Sequence, residues 1–381
     1  MEMKNLWIKR TLAGMCLVTT TAFAVDEGVT ATEIRLGASQ VLSGPLGAQT
    51  AQYGEGARLL FDSVNAAGGV HGRKISFMSL DDGFDPKRSV ENTRKLLDEH
   101  KVFMLFNSSG TAHTAAVLPL LKESRTILFG PVTGASSLRE GVNPYLFHVR
   151  ASYANESEKM LSQLKQTGVS KVAFFYQDDP LGKALLSEVR KASVSENMPL
   201  VAEISVDPAS PDFAAAAVAT AKSGAQAVIL GTAGMTFPNY VKAVQATAAR
   251  PVFYGYSVAS LDVINRELKD KSRGIILAQI MPSLRNSTVP VVAEYLRLLK
   301  ARSADAAPSA SQFEGFVHAR LLVEGLKRTG RELNAASFIR TMEGTGEISF
   351  GPFRARYSPQ SHNGSAYVEL AIIDDKGQLR Y

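Results

Sequence analysis

Residues 102–134 read VFMLFNSSGTAHTAAVLPLLKESRTILFGPVTG, and this stretch decides the class of fold. An apolar run at 102–106 reads as a strand and meets a turn of small and hydroxyl residues, Asn107-Ser108-Ser109-Gly110-Thr111. A helix is expected over 111–122, then a second strand at 126–129 that closes on Gly130-Pro131-Val132-Thr133-Gly134. Strand, helix and strand at this spacing form a βαβ unit, which pairs its two strands in parallel.

The same alternation extends both ways. Upstream, strands are expected at 34–38 and 74–80, with a helix over 47–66 that stops at Gly68-Gly69. Asp85-Pro86 opens a further helix to about residue 100, aspartate at the N-cap and proline in the first turn. Downstream of Val149 the pattern restarts. Strands are expected at 171–176, 200–206, 227–230 and 251–254, and helices at 155–166, 181–195, 211–223 and 238–247. Two series of four or five strands imply two doubly wound lobes, each a parallel sheet covered on both faces. The remainder holds a strand at 274–280, helices at 289–301, 312–329 and 335–343, and short strands near 347–356 and 366–373. That is too little for a third lobe, so it completes the first two and makes the chain cross between them more than once.

The N-terminus has the plan of an export signal. Lys4, Lys9 and Arg10 precede an uncharged stretch, 11–24, which ends in Ala22-Phe23-Ala24, so cleavage before Val25 is expected. Met15 before Cys16 does not suit lipidation. Cys16 is the one cysteine, so the mature chain would use neither a disulfide nor a thiolate site. Of the formal charge of +6, a net +2 lies in the leader; the remainder is scattered without a basic run, which excludes a nucleic-acid footprint. Beyond residue 25 nothing is apolar for long enough to span a membrane.

In open α/β sheets ligands bind beyond the carboxyl ends of the strands. Those turns here are Ser39 to Gly47, Asn107 to Thr111 and Gly130 to Gly134 in the first lobe. In the second they are Gln177-Asp178-Asp179-Pro180-Leu181-Gly182, Gly231-Thr232-Ala233-Gly234 and Gly255-Tyr256-Ser257. Free backbone N–H groups and hydroxyls at helix starts suit a carboxylate, although each serine or threonine could equally be an ordinary helix cap. Asp81, Asp82 and Asp85 supply too few oxygens at defined spacing for a cation, so no metal is expected. The six histidines (71, 100, 113, 148, 318 and 362) are scattered. Gly255-Tyr256-Ser257-Val258-Ala259 is a nucleophile elbow lacking its last glycine, which leaves a serine hydrolase open as an alternative. A P-loop and a G-x-G-x-x-G after the first strand are both missing, and no cofactor is expected.

Taken in order, these features resemble the leucine/isoleucine/valine-binding protein family, the type I periplasmic solute-binding proteins of ABC importers. The marks are Leu42-Ser43-Gly44-Pro45, Ala66-Ala67-Gly68-Gly69-Val70-His71-Gly72, Asp81-Asp82 with Asp85-Pro86, Gly130-Pro131 with Thr133-Gly134, and Tyr176-Gln177-Asp178-Asp179 with Leu181-Gly182. Glu324-Gly325-Leu326-Lys327-Arg328-Thr329-Gly330 and Phe350-Gly351-Pro352 complete the series. The resemblance implies an α/β fold of two Rossmann-like lobes joined by three crossings, near 149–151, 280–283 and 350–351. The first lobe would be 25–149 with 283–350, the second 150–282 with 351–381. It implies no catalysis. It also implies a small-molecule ligand between the lobes, permease subunits of an importer as partners, and a monomer in the periplasm; a receptor or chemotaxis sensor is the alternative.

For the site, the resemblance implies a carboxylate held by Ser109, Gly110 and Thr111, with Thr111 supplying the hydroxyl. Val132, Thr133 and Gly134 would offer backbone contacts, and Gln49 would lie over the ligand. Asp179, Leu181, Ala233 and Ser257 would face it from the second lobe. Two of these depart from the family pattern. Ser257 stands where amino-acid binders carry an acid for the α-ammonium group, and Leu181 where they carry a tyrosine. An enclosed ammonium without a carboxylate is costly to desolvate. The expected ligand is therefore a small carboxylate or amide without an α-amino group, with a branched-chain amino acid as runner-up, for which Asp178, Asp179 or a water would have to compensate.

Overall fold

The computed structural model describes residues 27–44 and 46–381. The expected leader at 1–24 and Cys16 lie outside the described residues. The first lobe is built on five strands: β1 (Glu33–Gln40), β2 (Lys74–Asp81), β3 (Met104–Phe106), β4 (Ile127–Phe129) and β5 (Leu146–Phe147). They lie in the order β2-β1-β3-β4-β5, every pair parallel. Helices α1 (Gly47–Ala66), α2 (Pro86–Asp98) and α3 (Thr111–Ser124) make the crossovers.

The second lobe carries seven strands, the four of the second series joined by two expected in the remainder of the chain and by one further short strand. Helices α4 (Tyr153–Gln166), α5 (Pro180–Ser195), α6 (Phe213–Ser223), α7 (Thr236–Gln245) and α8 (Leu261–Leu268) alternate with β6 (Val172–Gln177), β7 (Leu200–Val206), β8 (Ala227–Gly231), β9 (Val252–Gly255) and β10 (Ile276–Gln279). Late in the chain, β13 (Glu369–Ile373) pairs antiparallel to β10, and β14 (Leu379–Arg380) pairs with β13. The order is β14-β13-β10-β9-β8-β6-β7. Helix α8 and the two-residue strands β5 and β14 are additions to the expected elements, the strands being too short to leave a periodicity. Helix α6 starts at Phe213 rather than 211 because Asp212 caps it, its side chain accepting from the Ala215 N–H. Helix α7 runs two residues earlier than expected.

Helices α9 (Pro290–Arg302), α10 (Ala310–Thr329) and α11 (Ala335–Gly344) return to the first lobe. Phe313, Phe316 and Leu322 of α10 pack with Leu60 of α1 and Phe106 of β3 in one core. The strands β11 (Glu347–Phe350) and β12 (Phe353–Arg356) form an antiparallel hairpin. This moves the third crossing. Gly351, at φ +82°, is the hairpin's turn and not a passage between lobes. Phe353, Ala355 and Tyr357 remain in the first lobe's core, although they belong to the segment expected in the second. The chain crosses after Tyr357, where it runs beside the first crossing: His148 N–H donates to the His362 carbonyl at 2.9 Å and Ser365 N–H to the Val149 carbonyl at 3.2 Å.

Helices α1 and α10 approach until backbone touches backbone. A Cβ on Gly315 would sit 2.0 Å from the Tyr53 carbonyl oxygen, and one on Gly56 would sit 1.8 Å from that of Gln312. This contact fixes α1, and with it the face that turns Gln49 and Tyr53 toward the second lobe. Gly315→Ala is therefore expected to lower unfolding free energy by about 3 kcal/mol in urea titration, although alanine is the better helix former by ~1 kcal/mol. Gly344→Ala, with open space at its Cβ, should be neutral or stabilising. A neutral Gly315→Ala would contradict this packing.

Candidate functional site: a cavity between the two switch points

Each sheet has a point where the strand order reverses, between β1 and β3 in the first lobe and between β6 and β8 in the second. The loops leaving such strands splay apart and open a crevice. All four loops meet here. They enclose a cavity of about 250 Å³ lined by Val41 and Leu46 after β1, Ser109 to His113 after β3, Asp179 to Leu181 after β6, and Ala233 after β8. Helix α1 adds Gln49, Thr50 and Tyr53, while Phe84, Pro86, Val132, Tyr153 and Val258 complete the walls.

The walls are mostly apolar, and one group of polar residues gathers at the start of α3. Helix α3 begins at Gly110, φ +100°, with no side chain capping it. The first-turn N–H groups of a helix have no partner within it, so those of Thr111, Ala112 and His113 present the positive end of α3 to the cavity. The Ser109 hydroxyl beside them is buried without a hydrogen-bond partner. The Thr111 hydroxyl pairs with that of Thr133 at 2.7 Å. His113 folds over the same turn, its Nε2 4.0 Å from Asp82 Oδ1, and burial outweighs Asp82 to keep its pKa below the ordinary histidine value. Asp82 is itself held by the Ser39 and Ser89 hydroxyls, each at 2.8 Å. Gln49 spans the cleft, Nε2 donating to the Val258 carbonyl at 3.1 Å.

Eight of the expected site residues line this cavity: Gln49, Ser109, Gly110, Thr111, Val132, Asp179, Leu181 and Ala233. Three do not. Thr133 is fully buried behind Thr111, and its hydroxyl also accepts from Ala135 N–H. Gly134 lies under Tyr153, whose ring would be 2.6 Å from a Cβ there. Ser257 turns away from the cavity. Its N–H and hydroxyl donate to the two carboxylate oxygens of Glu156, at 2.7 and 2.9 Å, and its hydroxyl accepts from Arg150. Asp179 lines the cavity with a committed carboxylate: Oδ1 caps α5 by accepting from Gly182 N–H at 2.8 Å, and Oδ2 accepts from Gln177.

Among the described residues, no group of three or more histidines, cysteines or acids is placed to hold a metal ion. No helix among them is long and apolar enough to cross a membrane.

The model of the periplasmic binding proteins matches residues 33–378. The chain belongs to this family. The family consists of binding proteins, not enzymes, and the two-lobed α/β architecture is its type I fold. Among curated relatives, a Leu/Ile/Val-binding protein homolog of Brucella melitensis is 25% identical over 56% of this chain and 59% of its own length. The chain thus spans about six-tenths of that relative. Among solved structures, an extracellular ligand-binding receptor from Verminephrobacter eiseniae is 29% identical, with a TM-score of 0.85 over 92% of this chain and 100% of that one. A substrate-binding periplasmic protein from Ralstonia solanacearum is also 29% identical, with a TM-score of 0.83 over 91% and 99%.

Sequence reasoning missed the residues that support the cavity of this periplasmic binding protein. Tyr53 follows Gln49 by one helical turn, so the two share a face of α1. Arg150 is the one charge in the apolar run of the first crossing, and it is fully buried. Its Nη2 stands 3.9 Å from Glu156 of α4 and its Nη1 3.5 Å from Glu314 of α10, so one cation joins carboxylates of both lobes. Burial opposes the Arg150 charge, but Glu314, Tyr153, Tyr53 and Glu156 overcome it and raise its pKa above the ordinary arginine range. Burial pushes Glu314 up to about 7 against the pull of Arg150, and raises Glu156 likewise.

A carboxylate raised on folding binds protons more tightly in the native state, so it costs stability as pH climbs from its unfolded value through its folded one. Arg150→Met removes the cation that limits this cost. Its destabilisation in urea titration should be about 3–5 kcal/mol at pH 8 and clearly smaller at pH 5, where the carboxylates take up protons. A loss independent of pH would contradict the assigned role of Arg150.

Proposed function

We propose that this protein is the solute-binding component of an ABC importer, working in the periplasm as a monomer and delivering its ligand to membrane permease subunits. Its ligand, on this reading, is a small branched or aromatic carboxylate or amide without an α-amino group. One observation carries the ligand class. The mostly apolar cavity has a polar end formed by the uncapped start of α3, the free Ser109 hydroxyl and Thr111. A helix N-terminus favours a carboxylate by about 0.3–1 kcal/mol at exposed sites and up to ~2 when partly buried. The tail of a leucine-sized molecule would add about 1.5–3 kcal/mol by burial against Leu46, Tyr53, Tyr153 and Leu181.

The opposite requirement, an acid for an ammonium group, is poorly supplied. Ser257 is turned into the Arg150 cluster, and the Asp179 carboxylate already accepts two hydrogen bonds. The second reading, a branched-chain amino acid, draws support from the name of the Brucella melitensis relative. It requires Asp179 to accept the ammonium group while still capping α5.

Because the cavity takes walls from both lobes, the ligand would bind the closed state better than the open one and shift the hinge equilibrium toward it. Partner subunits would then read closure as occupancy.

Thermal-shift measurement on protein unfolded and refolded to strip bound ligand tests this reading. Leucine, 4-methylpentanoate and 4-methylpentanamide form one set, phenylalanine, 3-phenylpropanoate and 3-phenylpropanamide another. Stabilisation by the des-amino acids or amides but not by the amino acids is expected; a ligand at 100 times its Kd adds about 2.7 kcal/mol. Stabilisation by the amino acids alone would overturn the ligand class. Thr111→Ala is expected to weaken binding by about 10-fold or more, the worth of a hydrogen bond to a charged group, with no loss of fold by circular dichroism. Unchanged affinity would move the carboxylate elsewhere.

A further inference from the structure

A second cavity, of about 350 Å³, shares no lining residue with the first, which Gln49 and Val258 line. It too lies between the lobes. Gln52 and Ser311 line it from the first lobe, Ser257 and Leu277 from the second, and Met281 and Leu284 from the second crossing. Tyr53, a wall of the first cavity, interacts with Ser311 on this side, so the two chambers are separate neighbours.

Glu314 lines this second chamber while only 4% exposed. Its Oε1 has no hydrogen-bond partner. Two groups come near it, and neither satisfies it. Arg150 Nη1 is 3.5 Å away but shares its single charge with Glu156. His318 Nε2 is 3.6 Å away and also lacks a hydrogen-bond partner. Because His318 Nδ1 pairs with Asn107 Oδ1 at 2.6 Å, which can only accept, Nδ1 carries the proton and Nε2 is a bare lone pair. Burial and Arg150 hold that imidazole neutral, with its pKa lowered to about 3. Two buried acceptors thus face each other, beside a cluster with one guanidinium and two carboxyl groups. Either Glu314 keeps a proton there, or a donor-rich cation replaces it.

We infer that the second chamber is a binding site for the ammonium end of a small organic amine, with Glu314 as its anion and the apolar residues of the crossing around its carbon chain. This site is independent of the carboxylate site proposed above. An occupant contacts both lobes and the crossing, so it also favours closure.

The charged and titratable groups facing Glu314 are Arg150 from the first crossing, Glu156 from α4, the neutral His318 of its own helix and the neutral Tyr53 phenol of α1. Exposed Asp262 of α8 and Arg285 of the second crossing also line the chamber, one of each sign. Of these, Glu314 changes charge near neutrality, being raised to about 7. An alkylammonium stays charged up to pH ~10. Binding therefore needs the Glu314 proton to leave and strengthens as pH rises through 7.

Calorimetric titration of the protein with n-butylammonium tests the site, with n-butanol and butyrate as controls. Binding of the ammonium ion alone is expected, about tenfold tighter at pH 8 than at pH 6 and lost in Glu314→Gln. Ala310→Trp fills the chamber from an exposed first-turn position of α10 and should abolish binding with the fold intact. It carries the test should Glu314→Gln fail to fold. Absence of n-butylammonium binding, equal binding of n-butanol, or binding retained in Ala310→Trp would each overturn the proposal. So would binding lost only when Leu181→Trp fills the first cavity.

Discussion

A guanidinium sealed from water must be surrounded by anions, and in this protein the anions come from different lobes. Arg150 lies on the first crossing, Glu314 on a helix of the first lobe and Glu156 on a helix of the second. Separating the lobes separates these charges or lets water reach them. The relative position of the two sheets is thereby tied to an interaction whose energy falls steeply as it is solvated. Ser257 is part of the same cluster, bound to Glu156 and Arg150 together. The residue a sequence reader would place against a ligand is instead engaged in holding the lobes together.

What this arrangement leaves for the ligand follows from topology and the ends of helices. Two strand-order reversals face each other, so four loops converge with their free N–H groups and small side chains. Helix α3 starts there without a side-chain cap, as α1 does at Leu46 and α7 at Met235, but only beside α3 is a buried hydroxyl, that of Ser109, left unpaired among the described residues lining this cavity; α5 starts under Asp179. The proposed anion end is therefore the start of α3 with the Ser109 hydroxyl, in the first lobe, against walls that are mostly apolar. The second chamber, for which the opposite preference is proposed, shares no lining residue with the first and has the buried Glu314 in its wall. Charge sorting inside one interlobe cleft is thus a consequence of which helix is capped and which carboxylate is shared.

The parts legible in the sequence are those fixed by local chemistry. Asp85-Pro86 starts α2 as expected, with the Asp85 carboxylate accepting from Lys87 N–H at 2.9 Å, because a cap and a fixed φ act within three residues. The loops around the cavity were legible because apolar runs mark the strand ends. The inward or outward direction of a loop side chain was not. Thr133, Gly134 and Ser257 lie in the right turns but face Thr111, Tyr153 and Glu156. The crossing near 350–351 is implied only by the family resemblance, and Gly351 instead turns a hairpin, a long-range pairing that a glycine-proline pair alone does not specify. The Arg150, Glu156 and Glu314 cluster left one local trace, the lone Arg150 charge in an apolar run, and none of its partners. Only the folding of α10 back onto the first lobe brings Glu314 to the crossing.

The proposed carboxylate site requires an anion at the first turn of α3, and amide NMR reads those groups directly. Titration of refolded protein with 4-methylpentanoate should shift the Thr111, Ala112 and His113 amide protons downfield, as N–H groups do on meeting a carboxylate. The amides of the Asp179-capped turn of α5 should move much less. Saturable binding that leaves residues 111–113 unmoved while the α5 turn shifts would contradict the account.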